Sequence, residues 1–324
     1  MLSAAVRALG RPILVALSVA LSAIVVAIFL TRVPVASVVV VLLGAHWSAL
    51  AWAAALYLAT YVARAARLRV LARHAGTPAL FGVVAIQTAL LRIVPFRLGD
   101  LSYPLLASRL AGEDFSRSTI VLVYVRLLDL LVLLPAVPLA ALTLGGVVGT
   151  RGHALLGVGG VVFATVFAAA LAGFVSLPPL FRFAARVLAR LPRAGPWADR
   201  LRAAADGWDG LAPGALAAAV FWSVAAWGLL YASMWSIARA CGVDLGYGGI
   251  VATGTLSLVA SMVPLSVGSI GFLESGFALG LVLLGAPEER AVASGLLLQW
   301  GTLALSLAAG LVSWLVLSAR HESR

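Results

Sequence analysis

Residues 91–131 carry Arg92, Arg97, Asp100, Arg109, Arg126 and Asp129 among their ionisable side chains. The sequence around them is almost continuously apolar. Charges at bilayer depth are costly, so they face a cavity or one another and mark a pathway. Arg126 and Asp129 stand at i, i+3, on one helix face, where they can pair with each other. Alternatively, the Arg126 guanidinium, a planar fork of donors, can take a phosphate bidentately. Arg97 and Asp100 flank Gly99, with Tyr103 three residues on. That cluster is either a self-satisfied turn or a headgroup contact. Arg92 can snorkel toward the interface or join the same site. Glu274 is the only acid between 250 and 284. A lone carboxylate there is a functional candidate: a counter-charge for an arginine, or a proton carrier. Gln299 is polar in mid-helix and can bind a neighbouring helix or a ligand. Ser266 completes the polar set. The candidate substrate-binding residues are therefore Arg92, Arg97, Asp100, Tyr103, Arg126, Asp129, Ser266, Glu274 and Gln299.

These groups need a scaffold, and composition says which kind. The chain has 324 residues, of which 63% are hydrophobic and 11% charged; its mean hydropathy is +1.08. Soluble domains carry roughly a quarter charged residues, so an all-α polytopic membrane protein is expected. The net charge of +11 does not point to nucleic acid, because basic loops on one membrane face are the rule. The basic residues other than histidine are all arginine. A single cysteine, Cys241, allows no internal disulfide. The four histidines have no metal-ligand spacing, and no phosphate-binding loop or nucleophile elbow is present. No cofactor and no enzymatic activity are expected. A membrane enzyme acting on lipid phosphates is the least favoured reading, since no nucleophile–base set appears.

Spacing of apolar runs predicts about six full spans, near 13–30, 47–66, 119–144, 154–176, 215–240 and 291–317. The first lacks a clear cleavage site and reads as a span rather than a signal peptide. The run 35–44 is too short to cross. Arg64, Arg67, Arg69 and Arg73 follow the second span, which places that end and both termini in the cytoplasm of a plasma-membrane protein. Residues 180–209 hold Arg182, Arg186 and Arg190 at helical spacing and predict an amphipathic basic helix on the cytoplasmic leaflet. Two further apolar runs, 79–110 and 250–284, are interrupted at Pro95 and Gly99 and at Pro264 and Gly268. Proline lacks a donor and glycine is permissive. A broken helix is tolerated at membrane depth only inside protein or beside a cavity. Each run therefore predicts a re-entrant helical hairpin, with residues 287–290 an outside turn.

The two interrupted runs suggest a duplication within a single integral membrane domain spanning 1–324. Aligning Gly112 with Gly285 sets Arg126 on Gln299 and Asp129 on Thr302. Repeats near 79–144 and 250–317 would then run in opposite directions. Inverted repeats with interrupted helices place a substrate site at their interface, near the midplane.

Three stretches carry a resemblance to a known family: residues 94–106 (VPFRLGDLSYPLL), 125–131 (VRLLDLL) and 264–274 (PLSVGSIGFLE). In them the chain resembles the flippase-like transmembrane domain of lysylphosphatidylglycerol synthases and its stand-alone relatives, in order and over nearly its whole length. It departs from the family pattern at Asp100, Tyr103 and Val125, where glutamate, arginine and glutamate are common. No aminoacyl-transferase domain is expected after residue 317. The resemblance implies translocation of a lipid across a cell membrane. Expected partners are the membrane and a phospholipid or polyprenyl-phosphate-type lipid. The alternative is a non-transporting membrane partner that presents a lipid-linked substrate to a glycosyltransferase or other lipid-modifying enzyme.

Overall fold

A computed structural model describes residues 33–72, 76–94, 99–148, 165, 167–169, 171–172, 179–190, 195–209, 213–261 and 270–322. Among them the regular structure is helical. The order is α1 (Val35–Leu43), α2 (Trp47–Ala72), α3 (Thr77–Ile93), α4 (Ser102–Leu110), α5 (Phe115–Leu133) and α6 (Ala136–Val148). Then come α7 (179–188), α8 (Gly195–Asp209), α9 (Pro213–Ala240), α10 (Tyr247–Ala260), α11 (Phe272–Leu283), α12 (Glu288–Leu296), a π-helical turn (Leu297–Gly301) and α13 (Thr302–Glu322).

Four helical stretches are long and apolar enough to cross a membrane: Trp47–Ala72, Phe115–Thr143, Gly214–Ala240 and Glu288–Ala319. They correspond to four of the six expected spans. The expected spans at 13–30 and 154–176 lie outside the described residues or largely so. Large apolar side chains point outward on these helices, among them Trp52, Val62, Phe221, Val224, Leu311 and Trp314. Meanwhile Thr60, Ser223, Ser233, Thr255, Ser257 and Ser306 are fully or almost fully buried between helices. Polar residues inside and apolar ones outside suit a lipid solvent, where helices gain little by hiding leucine and bind through small and hydroxyl side chains.

The α2–α9 pair is the spine. Ser233 Oγ donates to the Ala53 carbonyl and Arg67 reaches Ser223. Contacts that step forward on one helix and back on the other make the pair antiparallel. The C-terminal end of α2 and the N-terminal end of α9 therefore lie at the same end of the fold.

Each spine helix is followed by a pair of shorter helices. At ~1.5 Å per residue, none of α3, α4, α10 or α11 reaches the ~30 Å of a hydrocarbon core. α10 and α11 pack antiparallel, with Gly280 against Thr253 and Gly276 against Ser257. In the first pair, Gly99 lies so close to the backbone of Leu90 and Leu91 that a Cβ would sit 2.7 Å from Leu91 Cα. Here glycine is required by close approach.

After each short pair the chain turns alike. Gly112 and Gly285 have φ of 70° and 88°, the left-handed region that costs other residues ~1–2 kcal/mol. Each stands three residues before the first residue of a long helix, Phe115 or Glu288. The packing is reciprocal too. α3 lies on α13, with Gly310 against Ala89 and Gly82 against Leu317, and α10 lies on α6.

Several expectations require correction. The span expected over 119–144 is present as one helical stretch, Phe115–Thr143. It starts earlier, however, and carries a turn at Leu134–Pro135 that divides α5 from α6, because proline has no N–H to donate to the helix ladder. The expected turn at 287–290 is instead the first turn of α12, which Pro287 precedes, a usual place for proline. Residues 180–209 form not one helix but two, α7 and α8, joined by an Arg182–Asp206 ion pair of 3.8 Å. α7 does turn Leu180, Phe183 and Val187 outward, the face an interfacial helix needs. The run 35–44 is a separate helix, α1, that packs Val38 near Cys241 and Val292.

Candidate functional site

Asp129, fifteen residues into α5, is the hub of the charged network. Its Oδ1 accepts from Arg67 Nη1 of α2 at 2.5 Å and from Trp227 Nε1 of α9 at 3.2 Å. Its Oδ2 accepts from Arg126 Nη1 at 3.1 Å. Arg126 also pairs with Asp100, beside the first residue turn of α4. Arg67 is 4% exposed and donates additionally to Ser223 Oγ at 3.1 Å. The network thus joins both spine helices, the first short pair and α5. A buried charge is tolerable only when paired and hydrogen-bonded, and Asp129 meets that condition with three donors.

A second cluster faces it from the other half. Arg92, in the last turn of α3, donates to Gln299 Oε1 at 3.4 Å and to Thr302 Oγ1 at 2.9 Å. Gln299 lies in the π-helical turn, an irregularity common at functional sites. Tyr57 and Tyr61, one turn apart on α2, both reach Ser306 Oγ, at 2.9 and 3.1 Å. The residues aligned by the proposed duplication, Arg126 with Gln299 and Asp129 with Thr302, are therefore engaged at one locality from the two halves.

Between these clusters lies a cavity of about 390 Å³. Its charged lining is Arg64, Arg67, Arg92, Asp100, Arg126 and Asp129. Tyr103 and Trp227 add polar edges, while Leu258, Ser261 and Leu273 bring the ends of α10 and α11 to the same wall. The size falls within the usual range for small-molecule sites. Among the described lining residues guanidinium groups outnumber carboxylates, a balance that suits an anion.

The structure brings together Arg92, Asp100, Tyr103, Arg126 and Asp129 on this cavity, and Gln299 behind Arg92. Arg97 and Ser266 lie outside the described residues. Glu274 does not line the cavity, although the Arg92 charge acts on it. Its Oε1 accepts the Gly271 N–H at 2.7 Å, at the N-terminus of α11, where a carboxylate is favoured by unpaired amides and the helix dipole. It is 6% exposed, forms no salt bridge among the described residues, and its Oε2 has no hydrogen-bond partner. The Glu274 backbone packs on α12 so tightly that a Cβ on Gly295 would meet the Glu274 carbonyl oxygen at 2.5 Å.

Arg64 and Arg67 were expected at the basic exit of a span; the structure puts both in the cavity. Counting positive charge near a helix end cannot separate a loop arginine from one turned inward. A signal was present, however: Tyr57, Tyr61, Arg64 and Leu68 recur at helical spacing and form one stripe of α2. Trp227 falls inside the span expected over 215–240, where hydropathy does not single it out. Its indole N–H finds a partner inside, as buried tryptophans do.

Among curated proteins, none matches this chain closely enough to add a relative. The described geometry joins its two halves at a single charged site, and its sequence matches the family described as Lysylphosphatidylglycerol synthase TM region over residues 15–310. The chain belongs to that family of membrane proteins.

Proposed function

We propose that this protein moves an anionic or phosphate-bearing lipid between membrane leaflets, with no enzymatic step. The observation that carries the reading is the cavity shared by the two halves, lined by four arginines in an otherwise apolar helical protein. A polar cavity open toward lipid would lower the cost of carrying a headgroup through hydrocarbon. The arginines would hold the headgroup while the acyl or prenyl chains stay in lipid.

In this reading the two short-helix pairs are re-entrant hairpins, and the segments α3–α6 and α10–α13 are inverted repeats. Support comes from the matched glycine turns, the reciprocal packing of α3 on α13 and α10 on α6, and the antiparallel spine. Rocking of one repeat against the other would expose the cavity to each leaflet in turn. The Arg126–Asp100 pair joins the first hairpin to α5 and would have to loosen in each cycle. Six spans, cytoplasmic termini and a plasma-membrane location belong to the same proposal.

The test is headgroup protection in proteoliposomes. Fluorescent phosphatidylglycerol and a fluorescent short-chain polyprenyl phosphate are loaded separately and quenched from outside. Protein-dependent loss of protection for either lipid, abolished by Arg126→Ala, is expected. No loss with either would favour a non-transporting role, in which the protein holds a lipid for a lipid-modifying enzyme.

A further inference from the structure

The acids and bases of the cavity do not balance. Among the described lining residues four arginines face two aspartates, which leaves two positive charges in excess. The excess can be assigned to particular residues. Arg67 and Arg126 are ion-paired, to Asp129 and to Asp129 with Asp100. Arg92 is held by Gln299, Thr302 and Tyr57, all neutral; among the described residues it makes no ion pair, and the Glu274 charge acts on it without a contact. Arg64 lines the cavity half-buried, with no hydrogen bond and no ion pair among the described residues, although its charge acts on Asp129. The unmatched charges thus sit on α2 and α3, on neighbouring helices of one wall.

Unused hydrogen-bond capacity points the same way. The Arg67 Nε–H and the Tyr103 hydroxyl are buried without a partner, on side chains 4% and 1% exposed. Both residues line the cavity. An unsatisfied buried donor is costly, and a guanidinium can only donate. The complement is a compact group rich in acceptor oxygens that carries two negative charges.

We propose that the cavity is built for a phosphate monoester dianion, with Arg64 and Arg92 as the residues that match its second charge. This rests on the cavity being the substrate site, as proposed above, and narrows the class. A phosphodiester headgroup such as that of phosphatidylglycerol carries one charge and leaves one arginine unmatched. A phosphomonoester carries close to two above pH 7 and presents three acceptor oxygens. A guanidinium engages such oxygens bidentately. The same dianion chemistry belongs to a prenyl phosphate lipid and to free inorganic phosphate; a hydrophobic tail is what separates them.

The test is equilibrium binding to the purified full chain in detergent micelles at pH 8, by calorimetry. The probes are a short-chain polyprenyl monophosphate, phosphatidylglycerol and inorganic phosphate. The monophosphate is expected to bind at least about tenfold tighter than phosphatidylglycerol, one charged hydrogen-bonded contact being worth about that ratio. Arg64→Gln should remove most of that margin, and Arg64→Lys should restore part of it. Arg64 has no hydrogen bond or ion pair to lose among the described residues, only its longer-range attraction to Asp129, so both variants should fold as the parent does. Equal affinity for the two lipids, or an unchanged margin in Arg64→Gln, overturns the inference. Inorganic phosphate as tight as the prenyl phosphate upholds the dianion site and assigns it to soluble phosphate. Transport of both lipids at equal rate and equal affinity defeats this inference but not the transport reading. Selective monophosphate binding without transport does the reverse.

Discussion

The two short-helix pairs share a plan and differ in filling. The first, α3–α4, carries Arg92, Asp100 and Tyr103 toward the cavity. The second, α10–α11, interleaves Gly276 and Gly280 with Ser257 and Thr253 and carries one acid, Glu274, which caps its own helix. Serine and glycine at a helix seam let backbones approach closely, so the second pair is a stiff wedge. The first pair's polar tip is held by ion pairs that a competing anion could replace. Under the proposed function, the difference gives binding to one pair and scaffolding to the other, although both would descend from one architectural unit in the proposed duplication.

That contrast can be broken experimentally. The largest effect should come from Arg67→Ala, which leaves Asp129 short of its closest partner. Removing one member of a buried pair costs about 3–5 kcal/mol, and thermal unfolding in detergent should show it. On the scaffold side, Gly295→Ala forces a methyl onto the Glu274 carbonyl. Overpacking of this kind costs about 1–3 kcal/mol; the same unfolding assay should find a lower midpoint with phosphate binding retained.

Gly112→Ala and Gly285→Ala compare the two halves directly. Each should cost about 1–2 kcal/mol. Nearly equal losses would sharpen the duplication, and a loss in one alone would weaken it. Glu274→Gln keeps the acceptor at Gly271 but removes the charge at the helix N-terminus, a loss of about 1 kcal/mol. If Glu274 is only a cap, lipid movement continues at all pH values. Abolished movement would make it a working carboxylate and erase the division between the pairs. Arg64→Gln should be the mildest for stability, within about 0.5 kcal/mol, yet visible in monophosphate affinity.

Much of this was legible because apolar runs, proline and glycine are local signals. The four described spans fall where hydropathy places them, and α3, α4, α10 and α11 end near the predicted interruptions. The pairing of Gly112 with Gly285 is legible as spacing alone, and both glycines have positive φ. The site was half legible. Arg126 with Asp129, Asp100 and Arg92 stand out as charges in apolar sequence, and they do converge. Arg64 and Arg67 did not stand out, because they sit among the basic residues that a cytoplasmic helix end would carry anyway. Nor could the division of 180–209 into two helices be read from arginine spacing alone.

The amino-acid sequence by itself determined that this chain lives in a bilayer, is helical and belongs to the lysylphosphatidylglycerol synthase transmembrane family. Each of these follows from the order and transfer energy of residues along one chain. Only the tertiary structure decided which charges meet. Asp129 could have paired with Arg126 alone, three residues away; the α2–α9 spine also delivers Arg67 and Trp227 to it. The reason is that an ion pair's energy depends on distances set by helix packing, and packing joins residues more than sixty positions apart.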